Sequence, residues 1–151
     1  MRDFYFAYGS NMDAARVAAR GLVVVAARAA SLAGCRLVFD KCASDHPGSA
    51  HASLAWDPTS RVEGVLYELA NEHEIAKMDP FERVPINYSR ERVVVVAGDA
   101  RIVAWTYFAN AAVRCAGLEP TRAYLAHLLA GRKFLSPAYV SALECTACAD
   151  D

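Results

Sequence analysis

Long apolar runs are missing from this sequence. The longest, Leu22 to Ala27, is far short of the roughly 20 residues a bilayer-crossing helix requires. An excess of charge is missing too: Lys+Arg total 16 against 17 Asp+Glu, a formal net charge of -1. That balance removes the electrostatic footprint of a nucleic-acid or anionic-membrane binder, so neither partner is expected. The polar, highly charged composition of a disordered chain is also absent, with 55% hydrophobic and 22% charged residues. Cysteine is scarce and odd in number. Cys35, Cys42 and Cys115 stand alone, and Cys145 with Cys148 makes one C-x-x-C without a second ligand pair. No apolar signal segment follows the opening Met-Arg-Asp-Phe-Tyr. Together these features predict reduced thiols and a cytoplasmic location. The C-x-x-C reads as two thiols on one face of a terminal helix. His46, His51, His73 and His127 are scattered, and neither a metal site nor any other cofactor is expected.

What is present is a chain of 151 residues, the size of one domain spanning 1–151. Its hydrophobicity is broad but shallow, because 30 residues are alanine. Alanine buries little area, so the core must come from the Val, Leu, Phe, Tyr and Trp positions. The weakly charged, alanine-rich surface leaves room for a homodimer without identifying an interface.

Turn signals divide the chain. Phe4 to Tyr8 is an aromatic-rich strand stopped at Gly9-Ser10-Asn11, and Asn11 is an N-cap for a helix from Met12 to Arg20. Leu22–Ala27 and Cys35–Phe39 read as separate strands. His51–Trp56 and Val62–Leu69 read as a hairpin about the turn Asp57-Pro58-Thr59-Ser60. Asn71 and Glu74 form a capping box for a short helix to about Met78, ended by Asp79-Pro80. Tyr88–Ala97, Gly98-Asp99 and Ala100–Phe108 make the clearest hairpin. Pro120 and Ser136-Pro137 start two helices, to Leu129 and to about Ala147. The sum is α+β, with a mixed, mostly antiparallel sheet closing into a small barrel decorated by short helices.

Three places carry chemistry. Tyr8-Gly9-Ser10-Asn11 sets a Gly-Ser turn at a helix start, where unpaired N–H groups favour an anion or developing oxyanion. Taken alone, the same turn serves equally well as a plain helix cap. Glu82 lies in the proline-braced loop Asp79-Pro80-Phe81-Glu82-Arg83-Val84-Pro85. Partial desolvation there makes a carboxylate a better base, and a surface pair with Arg83 is the simpler alternative. Ser10 is the best-placed serine for a nucleophile, with His51 or His127 as partner, although no G-x-S-x-G elbow is present. Tyr5, Tyr67, Tyr88, Trp105, Tyr107 and Tyr124 fit a core or barrel lining.

Read in order, these segments resemble the γ-glutamylcyclotransferase-like (AIG2-like) family. Phe4 to Met12 is similar to its Tyr-Gly-Ser-Asn-Leu opening, with Met12 for Leu. Val62-Glu63-Gly64-Val65-Leu66-Tyr67 resembles its Gly-Val-hydrophobic-Tyr strand. Met78-Asp79-Pro80-Phe81-Glu82 followed by Tyr88 resembles its Leu-Asp-x-x-Glu loop and downstream tyrosine. Pro120–Tyr124, Gly131 and Leu135–Tyr139 resemble its terminal helices. The motifs span about 4–143. The resemblance implies a small barrel enzyme, of lyase or transferase type, that cleaves γ-glutamyl amides and releases 5-oxoproline. It puts Glu82 at the catalytic position and Tyr8, Gly9, Ser10, Asn11 and Met12 around the γ-glutamyl group, with Tyr88 and Tyr124 near the pocket. Its implied partner is a small γ-glutamyl substrate, and Asn11 favours the γ-glutamylcyclotransferase branch over the glutathione-specific one. The competing readings are a non-catalytic module of the same fold binding a small acidic metabolite, and a serine hydrolase using Ser10.

Overall fold

The structure, a computed structural model, describes residues 2–149. In chain order the elements are β1 (Asp3–Ala7), α1 (Ala14–Ala19), β2 (Val24–Cys42), β3 (Ala50–Leu69), β4 (Tyr88–Ala97), β5 (Ala100–Ala109), α2 (Arg122–Leu129) and α3 (Pro137–Glu144). The strands close into a barrel in the order β1-β3-β2-β4-β5. Four neighbouring pairs are antiparallel, and one parallel contact, Tyr5 to Trp105, joins β5 back to β1. This is the α+β, mostly antiparallel barrel expected from the sequence.

The two-residue period of the strands sorts the apolar side chains onto two faces. Phe6, Leu54, Leu66 and Val95 pack in one cluster fed by all five strands, which fills the barrel. Their neighbours Tyr5, Ala7, Val65, Tyr67 and Leu69 point the other way, against Leu125, Leu128 and Leu143 of the helices. Ala30, Ala52, Ala97 and Ala104 share the barrel interior with Phe6 and the leucines. Small residues between large ones let five strands close around a filled core. That gives part of the alanine excess a structural use.

Several boundaries differ from the expectation. The two short strands predicted between Leu22 and Phe39 are one, β2, and the predicted hairpin at His51–Leu69 is the single strand β3. The turn chemistry of Asp57-Pro58-Thr59-Ser60 is present but makes a bulge. The β2–β3 register jumps from Ala33↔Arg61 to Cys35↔Trp56, with Gly34 opposite at φ +84°. Within the bulge the Asp57 carboxylate accepts from the Thr59 N–H and the Ser60 hydroxyl. The capping box at Asn71 opens only a 3-10 turn, Ile75–Lys77. Thr121 caps α2, which leaves Pro120 before the helix instead of in its first turn, and α3 ends at Glu144, so Cys145 and Cys148 do not share a helical face.

The cysteines bring the largest correction. Cys42, at the end of β2, is disulfide-bonded to Cys115, 73 positions away, in place of the isolated thiols expected. Nothing local marks the pair; β2 and the loop after β5 meet only in the folded chain, where Lys41 bridges to Arg114. Among the described residues Cys35, Cys145 and Cys148 are free.

Gly64 shows why its strand motif needs a glycine. A Cβ there would meet the Ala7 carbonyl oxygen and the Phe6 ring, at 2.8 Å from its Cε1, where β1 crosses β3. Overpacking of this kind predicts that Gly64→Ala lowers stability by about 2 kcal/mol, or about 4–8 °C in Tm, measurable by calorimetry.

Candidate active site

Gly9 ends the run from β1 into a 3-10 turn, Ser10–Met12, before α1 begins. Asp13, not Asn11, caps α1, its carboxylate accepting from the Ala15 N–H. Asn11 is therefore free for another task. Its side chain is buried, and its amide nitrogen donates to the Tyr5 hydroxyl at 2.8 Å and to Glu82 Oε1 at 3.0 Å. Its amide oxygen accepts from Arg20 Nη1 at 2.9 Å. The Asn11 carbonyl accepts from the Tyr67 hydroxyl at 2.7 Å, which pins the turn to β3. Among the described residues the Ser10 and Asn11 N–H groups have no acceptor, as expected of a first helical turn.

Glu82 reaches this turn from the loop before β4. Its N–H is bonded to the Met78 carbonyl, and the next residue, Arg83, takes φ 50° to redirect the chain. The Glu82 side chain is 16% exposed. Burial pushes its pKa above the usual 4.5, and Arg20, the Asn11 amide, Arg16 and Lys41 pull against that rise. The expected surface pair with Arg83 is replaced by Arg20, 3.7 Å from Oε1 and 5.0 Å over the Phe81 ring.

Together these groups line a cavity of about 170 Å³ that also takes in Tyr8, Tyr88, Tyr124 and His51. The Tyr88 hydroxyl donates to the Ala52 carbonyl, and the Tyr124 oxygen accepts from the Ala52 N–H. The Tyr8 hydroxyl donates to the Tyr107 carbonyl. Burial raises Tyr8 and Tyr88 well above 10 and Tyr124 to about 12, so all three present neutral hydroxyls. Met12 is the exception among the candidate residues. It is fully buried and packs beneath the turn without lining the cavity, and Gly131 approaches so closely that a Cβ there would lie 2.8 Å from the Met12 Cβ.

The proposed Ser10 partners separate. His127 pairs with Asp13 at 2.8 Å, away from the cavity lining. His51 does line the cavity, but its Nε2 faces Asp45 at 3.3 Å and its ring stacks on Tyr124 at 4.5 Å. No Ser10–His51 hydrogen bond occurs among the described residues, so the relay a serine nucleophile requires is not assembled. Sequence reasoning missed Arg16, Arg20 and Lys41. Arg16 on α1 and Arg20 at its C-cap had one signal, their four-residue spacing; Lys41, on β2, had none.

A family model described as γ-glutamyl cyclotransferase, AIG2-like, matches residues 5–126. The chain belongs to this family. The match covers both the Tyr8–Met12 turn and the Glu82 loop. Among solved structures, one named γ-glutamyl cyclotransferase superposes with a TM-score of 0.84 at 21% identity, over 100% of this chain and 91% of its own. An uncharacterised human protein gives 0.85 at 23%, over 99% and 90%. YkqA of Bacillus subtilis gives 0.83 at 23%, over 98% of this chain but 56% of its own. At these identities the likeness is one of fold. Comparison with curated proteins finds no match. Among the described residues no helix is long and apolar enough to cross a membrane, and no three His, Cys, Asp or Glu side chains group as metal ligands.

Proposed function

We propose that this protein cleaves a γ-glutamyl amide, of an amino acid or an amine, by letting the substrate's α-amine attack its own γ-carbonyl. The products are 5-oxoproline and the free amine. The observation that carries this reading is one partly buried carboxylate, Glu82, hydrogen-bonded to the turn that offers the Ser10 and Asn11 N–H groups.

An ammonium cannot attack, so Glu82 takes its proton; the amine nitrogen then bonds the γ-carbon and closes a five-membered lactam. The carbonyl oxygen becomes an oxyanion, and backbone donors at Ser10 and Asn11 are suited to hold it. The tetrahedral species collapses by breaking the bond to the leaving nitrogen, which takes the proton held by Glu82; the ring nitrogen gives its second proton to the carboxylate so freed, which passes it to the released amine. Because the attack is intramolecular, no covalent nucleophile is needed and the protein's main work is to hold a folded substrate conformer. Asn11 fixes Glu82 from one side while Tyr5 and Arg20 fix Asn11.

The test is a panel of γ-glutamyl amides with 5-oxoproline as readout. Release from one or more supports the reading, and release from none favours the non-catalytic binding module. A pH dependence also follows. The base must be ionised, and burial raises Glu82 above 4.5, so kcat/KM should rise with pH on a limb above the ordinary carboxylate range. Arg20 lowers that pKa, so Arg20→Gln should move the limb to higher pH; a limb that stays put or moves down removes Glu82 as its source. A cytoplasmic location belongs to the same proposal and is checked by cell fractionation.

A further inference from the structure

The cavity holds more positive charge than the reaction uses. Arg16, Arg20, Lys41 and Arg83 line it against two carboxylates, Asp45 and Glu82. Arg20 is committed to the Asn11 amide oxygen and to Glu82, and Arg83 is exposed at the rim. Arg16 and Lys41 are different. Lys41 is 4% exposed, and among the described residues its ammonium makes no hydrogen bond or ion pair; the Tyr88 ring lies 6.0 Å away. The Arg16 Nε is buried without a hydrogen-bond partner, and no described carboxylate pairs with its guanidinium. Cations held in a cavity without a direct ion pair are costly and suit a place where an anion arrives.

The two cations also line one cavity, together with Glu82 and His51. Lys41 sits on β2 directly across from His51 on β3, and His51 stacks on Tyr124, whose hydroxyl is tied to Ala52. The Lys41 side of the subsite is thus built on paired strands, and Arg16 comes from α1. Asp45, the other carboxylate of the lining, faces His51 at 3.3 Å, and among the described residues it forms no ion pair with Arg16 or Lys41.

Every γ-glutamyl amide brings one α-carboxylate and one α-ammonium, with no net charge between them. Only a leaving group with its own unbalanced carboxylate adds a negative charge. We infer that Arg16 and Lys41 form a carboxylate subsite for the departing half of the substrate, making the released amine an α-amino acid or peptide rather than a carboxylate-free amine. This inference rests on the γ-glutamyl amide reading above.

The decisive comparison is γ-glutamyl-alanine against γ-glutamyl-ethylamide, which differ by that carboxylate alone. Loss of charge-assisted hydrogen bonds predicts that the wild type favours the alanine compound by about 20-fold or more in kcat/KM, expressed mainly in KM. In the double variant Arg16→Gln, Lys41→Met the ratio should fall to about 3 or below, and Lys41→Arg should retain most of it. The ratio is internal to each protein, so a general loss of folding or of Glu82 basicity cancels. A wild-type ratio near one, or a variant ratio equal to the wild type's, overturns the subsite. If the double variant is inert, the wild-type ratio and the two single variants decide in the same way. Turnover without preference removes only this inference, whereas no 5-oxoproline from any γ-glutamyl amide removes the parent reading with it.

Discussion

Glu82→Gln is expected to slow 5-oxoproline release by about 10²–10⁴-fold at neutral pH, the usual worth of a positioned general base. The substitution keeps shape and removes only the ability to accept a proton. The Asn11 amide nitrogen, 3.0 Å from Oε1, can still donate to the glutamine carbonyl. Arg20 loses a partner that stood only 3.7 Å away, and the glutamine escapes the desolvation that burdens the carboxylate. Tm should therefore change little while turnover collapses. Full activity in the glutamine variant would remove Glu82 as the base even if cyclisation stands. Activity lost together with a large fall in Tm would instead point to a structural role, so both are measured on the same preparation.

Opening the Cys42–Cys115 bond should produce the largest stability change. Cross-linking residues 73 apart removes chain entropy from the unfolded state worth about 4 kcal/mol in the loop-closure treatment. The loop retains other anchors. The Cys115 N–H is bonded to the Asp40 carbonyl, and the Arg114 guanidinium forks onto the Asp40 carboxylate at 2.9 and 2.8 Å. The realised loss should be about 2–4 kcal/mol, a fall of roughly 5–15 °C in Tm on adding reductant or in Cys42→Ser, Cys115→Ser. A calorimetric scan that is the same with and without reductant would show that the bond adds nothing. Lys41 adjoins Cys42, so the same reduction should weaken substrate binding more than it alters the chemical step.

The hairpin of β4 and β5 was legible because two β-rich runs flank a Gly-Asp pair, and the structure pairs Ala97 with Ala100 as that spacing requires. The bulge at Asp57–Ser60 was not legible. An aspartate-proline turn looks the same whether the chain reverses or merely kinks, and only the neighbouring β2, with Gly34 opposite, selects the kink. Asn11 was misread for a related reason. Its type suits a helix cap, but Asp13 two residues on does that work, and Asn11 turns inward to Glu82. Ser10 looked competent as a nucleophile until the rings of His51 and His127 were found committed to Asp45 and Asp13.

By itself the sequence determined the two-residue periodicity, the turn positions and the residue types that any γ-glutamyl chemistry could use: one glutamate in a braced loop and one Gly-Ser-Asn turn. These are local properties, set by side-chain spacing and backbone preference. Tertiary structure alone decided which charges share a cavity. Arg20 and Glu82 are 62 positions apart and Lys41 is 41 from Glu82; barrel closure and the burial it imposes bring them together. The pairing of Cys42 with Cys115 belongs to the same class, since proximity across 73 residues is a product of folding and leaves no mark on the residues between.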